Sequence, residues 1–192
     1  MRAFLMHVGN PGNVDIEWTV TKRRSRSEIL AKLPTTAPER LYFESDSLLQ
    51  KQFVDGSFNC WGVPENASPA FQRTNIGDLV LFAPTIGTSI HHDGGIHQVG
   101  IVKAKCPVRC HDASRILWPK TPDNRLFPWL FFFETEGGFR GWSDFLEDVG
   151  YEPNWDPRGY YRSIGANRFS KWGSEYGYLD FLRKRSGFRL LK

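Results

Sequence analysis

The sequence predicts an α+β domain: one curved sheet or small β-barrel flanked by short helices. Three observations carry that expectation. Short apolar runs rich in Phe, Val, Leu and Ile recur along the chain, separated by turn chemistry. Brief segments of helical apolar spacing fall between those runs. The 192 residues contain no linker, repeat or low-complexity tract, which suits a single domain spanning 1–192.

Taken in order, RAFLMHV (2–8) is expected as a buried strand closed by the turn-rich GNPGN. IEWTVTK is expected as a second extended piece. A basic run, KRRSR (22–26), precedes SEILAKL, whose spacing suits a short helix behind a Ser cap. Within 41–56, LYF fits an extended piece and SDSLLQKQFV a helix capped by Ser45 or Ser47. FNCWGVPENASPAF (58–71) is expected as a loop. NIGDLVLFAP (75–84) places a turn at Gly77-Asp78 before a buried strand, and IHQVGIVKA (96–104) is its partner in a hairpin. The polar tip between them is where a ligand could be touched. CPVRCHDASRILWPKTPDNR mixes turn and short helix, and LFPWLFFFETE (126–136), the most apolar stretch, is expected as a central strand. RGWSDFLEDVG reads as an amphipathic helix with Ser143 and Asp144 near its start and Asp144, Glu147 and Asp148 solvated. A last helix is expected at about 176–185.

Hydrophobic residues at 40% and charged residues at 24% describe a globular chain, not a disordered one. The aromatic share is high, at 15% with seven Trp and fifteen Phe. Much of it must be core, yet several Trp are left for a binding surface. A net charge of +4 fits a polyanion partner and ordinary solubility equally well. The start MRAFLMHVGN is too short an apolar run for a signal peptide, and nothing approaches a membrane span. Cys60, Cys106 and Cys110 form an odd set with no dense framework, which suits a reducing compartment. The expectation is an intracellular, cytoplasmic protein with no membrane partner.

Trp61 poses the functional question, because it stands among Asn59, Gly62, Pro64, Glu65, Asn66 and Ser68. Either the segment folds back and Trp61 plugs the core, or Trp61 is held out to grip something flat.

The order of several segments bears on that choice. AFLMHVGNPGNVD resembles the first strand and loop of YTH domains. CWGVP resembles the YTH element that carries the first cage Trp. GDLVLFAP followed by HQVGIVKA resembles the strand pair of YTH, EVE and other PUA-like domains, and ILWP before LFPWLFFFE resembles the loop bearing the second cage Trp. The resemblance runs from about residue 3 to about 135, with an insertion at about 15–57 and a C-terminal extension from about 137 that matches nothing. It implies a PUA-like (YTH/EVE-type) fold that takes a modified base, flipped out of its helix, into an aromatic cage. N6-methyladenine is favoured, in DNA before RNA, with the chain acting as the specificity module of a restriction system. The alternatives are a reader of 5-methylcytosine or 5-hydroxymethylcytosine, an RNA-binding protein, or a hydrolase of the ASCH type.

A flat methylated base needs aromatic walls and a few hydrogen bonds at its edge, and stacking supplies roughly 1–3 kcal/mol per base. By motif match, Trp61 and Trp118 are the cage walls, and Asn13 reads the base edge with its amide. Asn10 and Asn59 are further edge candidates, alongside the backbone at Cys60 and Gly62. Trp129 is either a third wall or core on its strand. Phosphate contacts are sought among Arg23, Arg24, Arg26, Arg73, Lys103, Lys105, Arg109 and Lys120, any of which can equally be plain surface.

Rival chemistry finds less support. His91, His92, Asp93, His97, Cys106, Cys110 and His111 do not make a standard zinc spacing, so neither a metal nor a cofactor is expected. No nucleophile elbow, PD…ExK pattern or HNH array is present, so no catalytic residue is assigned. Any cutting activity would belong to a nuclease or NTPase effector in another domain or chain. A pure interaction module with all its aromatics in the core remains the third reading.

Overall fold

A computed structural model describes residues 1–8, 15–84, 94–119, 125–155 and 161–191. The first apolar run forms strand β1, Ala3–Val8. It serves two cores at once: Phe4, Met6 and Val8 enter one, Ala3 and Leu5 the other. This is the period-two alternation of a strand buried on both sides, and it explains why the run is continuously apolar.

Seven further strands follow: β2 (Arg24–Ser25), β3 (Ser57–Val63), β4 (Leu79–Pro84), β5 (Gly95–Lys105), β6 (Trp129–Gly141), β7 (Tyr161–Ile164) and β8 (Arg189–Leu190). They form one sheet in the order β2-β3-β6-β5-β4-β1-β7, with β8 beside β6. β1 runs parallel to β4 with Val8 opposite Pro84, and the remaining pairings among the described residues are antiparallel. Of the two expected forms, the sheet takes the open one, ending at β2 and β7. It curves strongly. Tyr161 on edge strand β7 stacks on Phe4 at 5.0 Å and reaches Phe131 of β6 at 5.6 Å. The hairpin β4–β5 and the central strand β6 fall where the sequence puts them.

The concave face carries Phe82, Phe131, Phe133 and Trp61 and is roofed by Phe71 of helix α4 (Ser68–Arg73). The convex face is covered in two places. Helices α1 (Arg26–Lys32), α2 (Arg40–Ser45) and α3 (Ser47–Gln52) precede β3. Phe43 of α2 packs there on Phe58 and Phe132. Helices α6 (Trp142–Val149) and α7 (Glu175–Arg185) bury the other part, with Phe145, Leu146, Tyr178, Leu179 and Leu182 against Ala3, Leu5, Leu79, Leu81 and Val99. Helix α5 (His111–Leu117) precedes β6, and two backbone N–H groups of its first turn, Asp112 and Ala113, donate to the buried carboxylate of Glu39.

Several local expectations are corrected. Ile16–Thr21 is not extended but a π-helical turn, with Ile16, Thr19 and Val20 turned inward. Leu41, Tyr42 and Phe43 lie in α2, not in an extended piece. The cap of α3 is Asp46, whose carboxylate accepts from Leu49 N, instead of Ser45 or Ser47. Asp148 does not lie on a solvated face. Its carboxylate accepts from Arg140 Nε at 2.8 Å, from Arg140 Nη2 at 2.9 Å and from the Tyr178 hydroxyl at 3.1 Å. That bidentate contact holds the Arg140 guanidinium above its ordinary pKa, and burial raises Tyr178.

Candidate functional site

Trp61 lies in strand β3, not in a loop, with Phe131 of β6 as its ladder partner. The turn-type letters around it do strand work. The buried Asn59 amide donates from Nδ2 to Val20 O at 2.8 Å and ties the π-helical turn to β3. Gly62 admits no side chain, since a Cβ there would fall 2.5 Å from Phe127 O and 2.9 Å from the Trp118 ring. A segment that reads as a turn is a strand because both of its sides are packed.

The structure brings Trp61 and Trp118 together, 3% and 4% exposed. Trp61 meets Trp118 edge to face at 5.9 Å and 73°, and meets Phe82 likewise at 6.2 Å and 79°. Two walls clasping a base between them would stand parallel and about 7 Å apart, two contact distances. The pair forms one continuous aromatic wall here, not two sides of a slot. Trp118 also packs on Phe127 at 5.7 Å. Trp129, at the start of β6, sits between core and surface: its ring packs on Phe71 at 5.2 Å and lies under the Arg109 guanidinium at 5.7 Å. Beside it, Glu65, Arg109, His111, Leu126 and Pro128 line a surface cavity of about 510 Å³. The Trp61 and Trp129 indole N–H groups are buried with no acceptor among the described residues. Cys60 is fully buried, and burial pushes its thiol up to about 12.

The basic candidates separate by partner. Lys105 donates to Phe71 O and Thr74 O, both at 2.6 Å, and covers the Phe71 ring, while burial lowers its pKa. It is a structural clamp, not a free phosphate ligand. Arg23 grips Asp55 at 2.8 and 2.9 Å, Lys103 pairs with Glu134 at 2.7 Å, and Arg109 pairs with Glu65 at 2.7 Å. These partly exposed pairs can exchange a carboxylate for a phosphate at modest cost. Arg24 lies over the half-exposed Trp18 ring at 4.5 Å, and Arg26 has a buried Nη1 with no partner among the described residues. Arg73 is exposed at the end of α4. Arg23, Lys103 and Asn59 share a cavity of about 210 Å³ with Phe53, Phe133 and Thr135.

Asn10, Asn13, Lys120, His91, His92 and Asp93 lie outside the described residues. Cys106 and Cys110 stand paired with each other, which their spacing did not suggest, and Cys60 is the free cysteine. Among the described residues, no group of three His, Cys, Asp or Glu is placed to hold a metal, and no helix is long and apolar enough to cross a membrane. Asp78, the acidic neighbour of Lys105, accepts from Arg2 N and Asn75 N, so it too is held by structural partners. Sequence reading passed over two residues of the concave face, Phe82 and Gln98. The signal for Gln98 was present, as a polar letter in the apolar run IHQVGIV.

No family model matches this sequence, and no curated protein sequence matches it. A solved structure does: the N-terminal domain of Thermococcus gammatolerans McrB bound to m5C DNA. The match has a TM-score of 0.61 and covers 96% of this chain and 98% of that chain, at 19% identity. At that identity the likeness is one of fold, and it extends over nearly the full length of both chains.

Proposed function

We propose that this chain is a reader of modified DNA, which takes a flipped modified base against the Trp61–Trp118–Phe82 wall of its concave face and performs no chemistry itself. The observation that carries the reading is the near end-to-end likeness to a domain solved on m5C DNA. The aromatic wall supports it, with the buried Trp61 N–H still lacking an acceptor among the described residues. Because Trp61 and Trp118 meet edge to face, binding requires a shift that exposes a ring face; stacking worth about 1–3 kcal/mol per base offsets part of that cost. 5-Methylcytosine is the first ligand to test, since the similar domain was solved with it. N6-methyladenine, implied by the YTH resemblance of CWGVP and AFLMHVGNPGNVD, is the second. Arg23, Lys103 and Arg109 would meet the backbone, exchanging their carboxylate partners for phosphates. In a restriction system the effector, a nuclease or NTPase, would be a separate domain or chain.

The test is a titration with matched oligonucleotides carrying cytosine or 5-methylcytosine, and adenine or N6-methyladenine, as single and double strands of DNA and RNA. A preference for one modified base, accompanied by a change in Trp fluorescence, is the expected result. Equal, salt-sensitive binding to every oligonucleotide would overturn the reading and leave a basic surface over an aromatic core.

A further inference from the structure

The concave face holds a polar group that the wall of rings does not need. Gln98 lies on β5 opposite Phe82 of β4, so the two side chains project to the same side of the sheet. Phe82 in turn carries the edge of Trp61. Two residues along β5, a Cβ at Gly100 would lie 2.8 Å from the Phe133 ring, and that ring packs on Phe82 at 5.5 Å. Gln98 is therefore an amide beside Phe82, on the face that carries Trp61 and Phe133, and it is only 5% exposed.

Its hydrogen bonding is half complete. Nε2 donates to Thr21 Oγ1, at the end of the π-helical turn, at 3.2 Å. Oε1 is buried with no donor among the described residues. If the amide were turned over, the NH₂ would be left without its partner instead; in either orientation one polar end has no partner among the described residues. A buried acceptor without a donor is a costly arrangement for a group with only a packing role, and Met or Leu would fill the same space without that cost. A ligand that brings a donor to this point removes the cost.

Resting on the reading of this face as a base site, we propose that Gln98 reads the edge of the bound base. Its Oε1 accepts from the exocyclic amino group, so the site selects an amino base, cytosine- or adenine-type, over a keto base. The chemistry fits both candidate ligands. 5-Methylcytosine keeps its N4 amino group and N6-methyladenine keeps one N6–H, whereas thymine and hypoxanthine present a carbonyl oxygen that would face Oε1. Thr21 orients the amide from the far side, which makes it a positioning residue.

The experiment uses single-stranded oligonucleotides, so that pairing strength does not enter, each carrying one member of an amino/keto pair: 5-methylcytosine against thymine, which share the C5 methyl, and adenine against hypoxanthine. The wild-type chain should prefer the amino member by roughly ten- to a hundredfold. Gln98→Met, close in shape and apolar, should lose most of that ratio. Gln98→Glu, which keeps acceptors, should retain it, and Thr21→Val should reduce it by freeing the amide to turn. Far-UV and near-UV circular dichroism verify that each variant is folded; if Gln98→Met does not fold, the Glu and Val variants carry the comparison. An undiminished amino/keto ratio in Gln98→Met, or in Thr21→Val together with loss in Gln98→Glu, overturns the assignment. A wild type that does not separate 5-methylcytosine from cytosine, or N6-methyladenine from adenine, overturns the base-reading function instead, so the two failures are distinguishable.

Discussion

The concave face and the α6–α7 side of the sheet are both buried, yet among the described residues only the second ties its elements together with ion pairs. Under α6 and α7 ion pairs are closed between elements, while Glu175 Oε1 and Trp172 Nε1 have no partner among the described residues. Asp148 takes both arms of Arg140 and the Tyr178 hydroxyl, and Glu136 takes Arg183. On the concave face the rings are just as well packed, but Trp61 Nε1 and Gln98 Oε1 have no partner among the described residues. The ion pairs of the α6–α7 side brace the sheet from behind, and those two groups of the concave face are the ones a ligand bound there would meet.

Four substitutions sharpen that contrast. The largest expected effect belongs to the brace: Asp148→Ala leaves Arg140 with its longer contact to Asp144, strands the Tyr178 hydroxyl, and should lower unfolding free energy by about 3 kcal/mol in urea titrations. Base preference should be unchanged at temperatures where the variant is folded. Next comes Gly62→Ala, which forces β3 away from Phe127 and Trp118 and should cost about 2 kcal/mol. If melting shows no loss, the close packing over the candidate wall is not as described. Trp118→Phe keeps a ring in place and should change stability by less than about 1.5 kcal/mol. It should nonetheless weaken binding of the modified oligonucleotide by about tenfold, measured by fluorescence anisotropy.

The smallest effect is one of pH. Burial pushes the Asp15 carboxyl, at the head of the π-helical turn, from 3.8 to about 6. The folded chain then holds this proton more tightly than the unfolded one. Its contribution favours folding below about pH 4 and is lost as pH rises through about 6. Thermal midpoints of Asp15→Asn should therefore fall less than those of the wild type between about pH 5 and about pH 7.5. Equal falls would mean that Asp15 is solvated.

What the sequence made legible follows from how each strand is buried. β1, β4 and β6 are two-sided strands announced by continuous apolar runs, and β5 is announced by IHQVGIVKA, in which polar letters interrupt the apolar ones. β3 is equally two-sided but is written with Asn59, Cys60 and Gly62, residues whose local preferences point to a turn. Tertiary contact overrides those preferences: Asn59 is used to fasten the π-helical turn, and Gly62 to let Phe127 in. That turn was misread for the converse reason, because IEWTVT alternates like a strand while only Ile16, Thr19 and Val20 face inward. Asp148 looked solvated because its partners lie on other elements, Arg140 in β6 and Tyr178 in α7. The pairing of the Trp61 and Trp118 segments was legible from their order, whereas the edge-to-face angle depends on Phe82 and Phe127 closing around them.

The position of β1 also governs how the chain can reach this state. It pairs with β4 on one side and β7 on the other, and the contact between Arg2 and Asp78 alone spans 76 residues. Synthesis delivers β1 with both edges bare and no local hairpin to join. The strand must wait, apolar on both sides, until the middle of the chain and then its last third have been made. Folding should accordingly be late and nearly all-or-none, slow for a domain of this size, and dependent on protection of the nascent segment from other chains.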